Sequence, residues 1–204
     1  MITVEHPLRN KKEYFDTIAE NWTTQYTDQD SEVLQYTIHE ILNEAPGKTI
    51  LDIGCGAGIS FPFLDNYNVI AFDLSSRMIE QANRNRTPSI DLLLQADTHR
   101  IPLKDETIDG IIALAVYPHI IDKAVFLDEC YRVLRPGGSF GIIHLHPSHE
   151  INRIHQEAGD ALEDDFLPDP PEMIRQLEAT NFAPVRIDHD NFYFILSKKF
   201  DKVN

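Results

Sequence analysis

A glycine-rich segment with an acid in front of it is the part of the sequence best suited to chemistry. Gly54, Gly56 and Gly58 directly follow the apolar run Thr49–Ile53, which itself carries Asp52. Glycines between a strand and a helix let the main chain turn sharply and let a ligand approach the backbone. A carboxylate beside such a loop repels a pyrophosphate but attracts an amino group. The segment therefore predicts a site for an amine-bearing ligand.

The dinucleotide-binding pattern G-x-G-x-x-G is the alternative interpretation of this loop, and a nicotinamide oxidoreductase would require it. Gly54 and Gly56 fit that pattern, but its third glycine falls on Ile59. A branched side chain there would hinder close packing of the helix. Ile59 and Asp52 together therefore disfavour an oxidoreductase.

Two further acids follow the next predicted strands. Asp73 closes the apolar run 68–72, where doubly wound folds hold an acid that accepts hydrogen bonds from ribose hydroxyls. Asp97 follows the run 91–95 and could accept a hydrogen bond from an exocyclic amine. Acids at three consecutive strand ends indicate a ligand with an amine, a ribose and an adenine but no phosphate. S-adenosylmethionine has those parts.

Charge and length exclude several classes of partner. The 204 residues carry a formal net charge of −15, which argues against a nucleic-acid partner and against docking on anionic lipid. The length suits one domain, and two cysteines do not make a disulfide framework. Residues 1–12 are polar and show no signal peptide, and no apolar run is long enough to span a membrane. We expect a cytoplasmic monomer or homodimer.

The hydrophobic periodicity predicts alternating strands and helices. Strands are predicted over 49–53, 68–72, 91–95, 108–116 and 139–145, and helices over 13–26, 31–43, 59–65, 75–85, 122–134 and 171–180, with Ser31 as an N-cap. The strand-like runs 185–189 and 192–197 are separated by two residues, so they must be antiparallel. The predicted fold is α/β, a doubly wound and mostly parallel seven-stranded sheet that ends in an antiparallel β-hairpin.

Four segments in order resemble the successive motifs of class I S-adenosylmethionine-dependent methyltransferases: LDIGCGAG, AFDLSSRMIEQA, QADTHRIPLKDETIDGIIALAVYPHI and ECYRVLRPGGSF. The matching stretch covers residues 49–143, and it is most similar to the small-molecule branch of ubiquinone and menaquinone biosynthesis methyltransferases. The resemblance implies a Rossmann-like methyltransferase fold with S-adenosylmethionine as cofactor. It also implies transfer of a methyl group to a small-molecule acceptor by in-line displacement, in which the enzyme mainly aligns and desolvates.

The resemblance implies a set of cofactor-binding residues that come from the leading helix, the glycine loop and the strand ends. They are Tyr14, Trp22, Asp52, Gly54, Cys55, Gly56, Gly58, Asp73, Leu74, Met78, Asp97, Thr98, Ala113, Leu114 and Ala115. For Leu74 and Met78 a plain core position is the alternative. For Tyr14 and Trp22 the alternative is packing of the leading helix on the body of the protein.

Ligands of open α/β sheets bind beyond the carboxyl ends of the strands, which makes Tyr117, His119 and His146 the predicted substrate-binding residues. His119 is also the candidate base, and it matches the second histidine of a His-His pair in the quinone branch, where Pro118 replaces the first. We predict no metal. His144, His146 and His149 are the alternative site for zinc or iron, but their spacing is not a recognised ligand pattern.

The resemblance divides the single domain 1–204 into an N-terminal helical cap over 1–45, a cofactor-binding core over 49–145, an acidic insertion and helix near the acceptor site over 146–182, and a terminal hairpin over 184–200. Residues 157–172 contain seven acids and no lysine or arginine. They form either a solvated loop or an acidic lid. Two other functions stay open: a regulator that binds the cofactor without catalysis, and a methyltransferase that acts on protein or RNA.

Overall fold

The computed structural model of this chain describes residues 7–158 and 162–200. Its centre is a seven-stranded sheet in the order β3-β2-β1-β4-β5-β7-β6. The strands are β1 Thr49–Ile53, β2 Asn68–Asp73, β3 Ile90–Gln95, β4 Ile108–Leu114, β5 Leu134–His144, β6 Phe182–Asp188 and β7 Tyr193–Lys199. The pairings among β1 to β5 are parallel, whereas β7 pairs antiparallel with both β5 and β6. The predicted fold, including the terminal hairpin, is confirmed.

Six α-helices and three short 3-10 helices accompany the sheet in the described part of the chain. The α-helices are α1 Pro7–Ile18, α2 Asp28–Glu44, α3 Ser76–Arg84, α4 Lys123–Val133, α5 Ser148–Glu157 and α6 Pro170–Ala179. The 3-10 helices are Ala19–Gln25, Phe61–Phe63 and Tyr117–His119. Helix α5 lies in a stretch for which the sequence predicted no element.

The start of α2 differs from the prediction. Its N-cap is Thr27, whose hydroxyl accepts a hydrogen bond from the Asp30 amide at 3.3 Å. The Asp30 carboxylate accepts one in return from the Thr27 amide at 2.7 Å, which completes a capping box. Ser31 as N-cap was wrong because the first turn of α2 is polar and shows no hydrophobic period.

Other predicted boundaries also differ from the structure. The leading helix, predicted over 13–26, ends at Ile18 and continues as the 3-10 helix Ala19–Gln25. A helix over 59–65 was wrong, since only the 3-10 turn Phe61–Phe63 forms around Pro62, whose ring removes an amide donor. Strand β4 ends at Leu114 because Ala115 has a φ of 53°, which is incompatible with extended backbone. Strand β5 begins at Leu134, before the Pro-Gly-Gly sequence that was expected to precede it.

The core lies on both faces of the sheet. Every residue of β4 is buried, as its continuous apolar character predicted. Ile111 packs in the cluster that includes Phe126 of α4, whereas Ile112 packs in the cluster that includes Ile41 of α2. This two-sided burial holds the carboxyl ends of the parallel strands in a fixed arrangement. In the described ranges, no helix is long and apolar enough to cross a membrane.

A buried acid at the opposite end of β4 joins this strand to its two neighbours, β1 and β5, through side-chain hydrogen bonds. Asp109 accepts hydrogen bonds from the Thr49 amide at 2.9 Å and from Arg135 at 2.8 Å. Asp109→Ala removes a buried acceptor and leaves the partly buried Thr49 amide and Arg135 without their partner, so we expect a loss of about 2–3 kcal/mol in the free energy of unfolding, measured by urea denaturation. Asp105→Ala is the control because its Arg132 pair is exposed, and it should cost less than about 1 kcal/mol. Equal losses for the two variants would refute this account of Asp109.

Candidate functional site

A cavity of about 830 Å³, part of it open to solvent, lies at the carboxyl ends of the parallel strands. Most of the residues predicted to bind the cofactor line it together: Trp22, Asp52, Gly54, Cys55, Gly56, Asp73, Leu74, Met78, Asp97, Thr98, Leu114 and Ala115. The strands are parallel, so their carboxyl ends meet at one edge and bring these residues into a single site. We call this space the strand-end cavity.

Three residues of the predicted set do not line the strand-end cavity. Tyr14 lies at a neighbouring cavity instead. Gly58 is adjacent to Phe61, whose ring a Cβ at that position would approach to 2.5 Å, so this glycine makes room for core packing. Ala113 is fully buried inside β4. Their assignment to the cofactor stays a prediction that the lining of the strand-end cavity does not support.

The Asp52 carboxylate is buried in the wall of this cavity. One of its oxygens, Oδ2, accepts a hydrogen bond from the Ser60 hydroxyl. The other, Oδ1, has no hydrogen-bond partner among the described residues. Burial raises the pKa of Asp52 to about 7, although the Ser60 hydrogen bond opposes that shift. A buried carboxylate oxygen without a donor is costly unless a ligand supplies one.

Asp73 organises the backbone around the cavity. Its Oδ2 accepts a hydrogen bond from the Gly56 amide at 2.9 Å, and its Oδ1 accepts one from the Ser75 amide at 2.8 Å. Burial raises the pKa of Asp73 to about 6 even though these hydrogen bonds favour the charged form. The carboxylate therefore joins the glycine loop to the start of α3.

Asp97 is held by a histidine that sequence reasoning missed. His99 Nδ1 lies 2.6 Å from Asp97 Oδ1, and His99 Nε2 accepts a hydrogen bond from the Asp122 amide at 3.0 Å. Because Nε2 is an acceptor, the ring proton lies on Nδ1 and is donated to Asp97. This chain of contacts fixes the Asp97 carboxylate at the cavity, which His99 also lines.

A second cavity, of about 1260 Å³ including solvent-open space, adjoins the first. Five residues line both cavities and so mark their junction: Phe15, Trp22, Tyr26, Ala115 and His119. The remaining wall combines aromatic and aliphatic side chains with two polar residues, Asn21 and Asp30, and three further histidines, namely His144, His146 and His155. We call this space the histidine cavity.

The three predicted substrate-binding residues have different positions. His119 lies at the junction of the cavities, and the half-exposed His146 lines the histidine cavity. The prediction that Tyr117 binds substrate was wrong, because its ring is fully buried against Phe126 and its hydroxyl donates a 2.6 Å hydrogen bond to Gln176. Tyr117 and His119 share one tight 3-10 turn, which directs their side chains differently.

His144 is buried at the end of β5 and lines the histidine cavity. Its Nε2 has no hydrogen-bond partner in the part of the chain that the structure describes. Burial lowers the pKa of His144 well below its ordinary value, so the ring is neutral near pH 7. The described residues include no group of three or more His, Cys, Asp or Glu side chains that could hold a metal ion. His149 does not line either cavity.

The acidic stretch 157–172 contributes two apolar residues, Ala158 and Leu162, to the wall of the histidine cavity and one acid that contacts His119. Asp165 is buried, and its Oδ2 lies 2.5 Å from His119 Nδ1. Its Oδ1 accepts a hydrogen bond from Lys11 of α1. Glu163 and Asp164 are exposed, and Asp160 lies outside the described residues. The solvated-loop interpretation therefore fits Glu163 and Asp164 but not Asp165, and the acidic lid stays a prediction.

Comparison with known proteins identifies the core of the chain. Residues 51–142 match the family described as a methyltransferase domain. The chain is 33% identical over 97 residues to a 2-methyl-6-phytyl-1,4-hydroquinone methyltransferase of Synechocystis, covering 46% of this chain and 30% of that one. It is 34% identical over 113 residues to a phthiotriol/phenolphthiotriol dimycocerosates methyltransferase of Mycobacterium tuberculosis, covering 52% of this chain and 40% of that one. The chain thus spans less than half the length of both relatives.

Solved structures share the fold. The geranyl diphosphate C-methyltransferase of Streptomyces coelicolor superposes with a TM-score of 0.74 at 12% identity, over 98% of this chain and 100% of that one. A SAM-dependent methyltransferase of Aquifex aeolicus superposes with a TM-score of 0.64 at 22% identity, over 81% of this chain and 89% of that one. At these identities the likeness establishes the architecture alone.

Proposed function

We propose, from the premise that this chain carries a class I S-adenosylmethionine-dependent methyltransferase domain, that it methylates a small molecule held in the histidine cavity. The observation that carries the proposal is the Asp52 carboxylate, which lines the strand-end cavity and whose buried Oδ1 lacks a donor among the described residues. The division of the chain into a helical cap, a cofactor core, an acceptor segment and a terminal hairpin is part of the same proposal.

The residues of the strand-end cavity fit S-adenosylmethionine. The cofactor's amino group would supply the missing donor to Asp52. Asp73, already oriented by two backbone amides, would accept hydrogen bonds from the ribose hydroxyls. Asp97 would face the exocyclic amine of the adenine, beside Met78 and Leu74. The fit includes no phosphate, in keeping with the acids around the cavity.

The protein's contribution to the reaction is alignment and exclusion of water. When bound, the cofactor supplies a methyl group that its sulfonium already activates for displacement. Phe15 and Trp22 lie where the cavities meet, so they would shield the reacting atoms from solvent. An acceptor in the histidine cavity would approach that junction from the side opposite the cofactor, as in-line displacement requires.

Three observations support a small acceptor. The histidine cavity is walled by α1, α5 and the residues after β5, and it has the dimensions of a small-molecule site. The net charge of −15 disfavours RNA. Two relatives are named for a hydroquinone and for phthiotriol/phenolphthiotriol dimycocerosates, and neither name refers to a protein or RNA acceptor. A methyltransferase of protein or RNA, and a regulator without catalysis, are the alternatives that the experiment must separate.

Calorimetry and radiolabelling test this proposal. We expect the purified chain to bind S-adenosylmethionine and not a nicotinamide dinucleotide in calorimetry. With radiolabelled methyl donor, label should enter the dialysable fraction of a cell extract rather than its protein or RNA. Binding of the dinucleotide alone would refute the cofactor assignment. Tight cofactor binding with no labelled product would favour the regulator, and label confined to macromolecules would refute the small acceptor.

Substitution of a loop glycine gives a sharper prediction. Gly56 has a φ of 53°, and a Cβ there would lie 3.0 Å from the Trp22 indole nitrogen. Gly56→Ala should therefore displace both the loop and the aromatic wall, and we expect the affinity for S-adenosylmethionine in calorimetry to fall about tenfold or more. Gly137→Ala is a matched control, because Gly137 has a φ of 75° and its Cβ would meet nothing within 4 Å. If both variants lose affinity equally, backbone strain alone explains the effect.

A further inference from the structure

Asp165 is a buried carboxylate that the methyl-transfer scheme above does not use. Its side chain is 6% exposed, and it contacts His119 Nδ1 at 2.5 Å and Lys11 through its other oxygen. Burial raises the cost of the charge, but the hydrogen bonds from His119 and Lys11 outweigh it and lower the pKa of Asp165. The carboxylate therefore stays ionised, and its charge is balanced by Lys11.

Helix α5 holds the backbone that carries Asp165. The Asn152 side chain donates to the Leu167 carbonyl at 3.0 Å and accepts from the Leu167 amide at 2.8 Å. His155 Nδ1 lies 2.7 Å from the Asp165 carbonyl, to which it donates. Three hydrogen bonds from one helix thus position a short piece of the acidic stretch against the junction of the two cavities. Such placement is what a functional side chain on a loop requires.

The contact with Asp165 determines which nitrogen of His119 can act. An ionised carboxylate accepts but does not donate, so His119 Nδ1 carries the proton in this contact. Burial lowers the pKa of His119, and Asp165 only partly opposes that shift, so the ring is neutral near pH 7. Nε2 is then the nitrogen that can accept a proton. The titratable groups around His119 and its partner Asp165 come from several elements: Lys11, Tyr14, Lys123, His144 and His155.

We propose that His119, positioned by Asp165, removes a proton from the acceptor, and hence that the acceptor is an aromatic molecule with a hydroxyl group. The proposal rests on the proposed methyl transfer. The acceptor's O–H bond breaks and its proton moves to His119 Nε2. The oxygen's electron pair forms the new bond to the methyl carbon while that carbon's bond to sulfur breaks and leaves its pair on sulfur. The imidazolium that results is stabilised by Asp165 and then loses its proton to solvent.

The walls of the histidine cavity supply the aromatic part of this inference. Tyr14, Ile18, Ile151 and Ile154 line it, and these side chains suit a flat apolar ring better than a sugar or a peptide. His144, whose buried Nε2 has no hydrogen-bond partner among the described residues, lines the same cavity and could bind a second polar substituent of the acceptor.

Nuclear magnetic resonance of the histidine rings tests the His119–Asp165 pair without any acceptor. In the full-length protein with ¹⁵N-labelled histidine and S-adenosylhomocysteine, His119→Gln assigns the His119 signals. We expect long-range ¹H–¹⁵N couplings to show a neutral ring protonated on Nδ1. In Asp165→Asn the amide can donate to Nδ1, so the proton should move to Nε2. A His119 ring that is protonated on Nε2 in the unsubstituted protein would overturn the proposal.

Methyl transfer to two simple probes tests the chemistry. Phenol must lose a proton on methylation, whereas pyridine has none to lose at the nitrogen that attacks. We expect Asp165→Asn to lower kcat for phenol about 100-fold at neutral pH with little change in KM. This loss should be at least tenfold greater than that for pyridine, and it should shrink as the pH approaches the phenol pKa of about 10.

Glu163→Gln is the control, because Glu163 is an exposed acid two residues from Asp165 and should leave both rates unchanged. Equal losses of kcat for phenol and pyridine in Asp165→Asn would overturn the role of His119 as base and leave the proposed methyl transfer intact. If the unsubstituted protein binds the cofactor but methylates neither probe nor any extract component, the proposed function fails. In that case the His119 tautomer measured by nuclear magnetic resonance still shows whether the His119–Asp165 pair exists.

Discussion

Asp52→Asn should lower the affinity for S-adenosylmethionine by about 100-fold while it stabilises the unliganded fold. The amide keeps the size of the side chain, and its oxygen can still accept the Ser60 hydrogen bond. Its NH₂ group would then face the cavity and repel the cofactor's ammonium group. Removal of one partner of a buried charge pair costs about 2–5 kcal/mol in binding. The unliganded protein, by contrast, no longer has to bury a carboxylate oxygen that finds no donor among the described residues.

Calorimetry with S-adenosylmethionine and thermal denaturation without it measure the two effects separately. Asp91→Asn is the control, because Asp91 is an exposed acid on β3 that does not line either cavity. The variant Asp52→Asn should melt at a higher temperature than the unsubstituted protein above pH 7 and bind far more weakly. Unchanged affinity would contradict the assignment of Asp52 to the cofactor's amine. A fall in both properties would show that Asp52 only supports the fold.

The residues that line the strand-end cavity could be predicted from sequence because the relevant signals are local. Each of Asp52, Asp73 and Asp97 lies at or next to the end of an apolar run, and parallel strands carry such ends to one edge. Strands β1 and β2 agree with their predicted limits to within one residue. Continuous burial leaves little freedom for a short strand to start or stop elsewhere.

The acceptor side could not be predicted in the same way, because its contacts join distant parts of the chain. His119 and Asp165 are 46 positions apart, and Lys11 and Asp165 are 154 apart. In the sequence Asp165 is one acid in a run of acids, and no local pattern distinguishes it from Glu163 and Asp164. Its burial depends on α5, whose hydrogen bonds to the segment become visible only in the structure.

Tyr117 is a second residue whose surroundings could not be predicted from sequence. It was expected to contact the substrate because it follows β4, as His119 does. Its ring instead enters the core and its hydroxyl contacts Gln176 of α6, 59 positions away. The position of a residue at a strand end therefore predicts that it is near the site. Which way the side chain points depends on the turn that carries it and on partners elsewhere in the fold.

The pH dependence of binding and of stability should run in opposite directions at Asp52. Its pKa of about 7 in the fold lies far above the ordinary 3.8, because burial disfavours the charged form. The folded chain thus holds a proton that the unfolded chain releases between these values, so the Asp52 contribution to stability falls as the pH rises through this window. Cofactor affinity should rise over the upper part of the same window, since the ammonium group requires the ionised carboxylate.

Comparison with Asp52→Asn isolates this effect from other titrating groups. Asp73 adds a contribution of the same sign, since its pKa is raised to about 6. His119 and His144 act against it, because their lowered pKa values make the fold lose stability as the pH falls below about 6.5. The stability difference between Asp52→Asn and the unsubstituted protein should nevertheless grow steadily from about pH 5 to pH 7.5, since both proteins share those groups.

Binding measured over the same range should show the complementary trend. Below pH 7 each binding event must release the Asp52 proton, so affinity in the unsubstituted protein should fall by up to about tenfold per pH unit on acidification. Asp52→Asn should show a much shallower slope, because only Asp73 and the histidines remain to couple binding to pH. Calorimetry in buffers of different ionisation enthalpy detects the released proton directly. Equal slopes in the two proteins would mean that the carboxylate which binds the cofactor's amine is not Asp52.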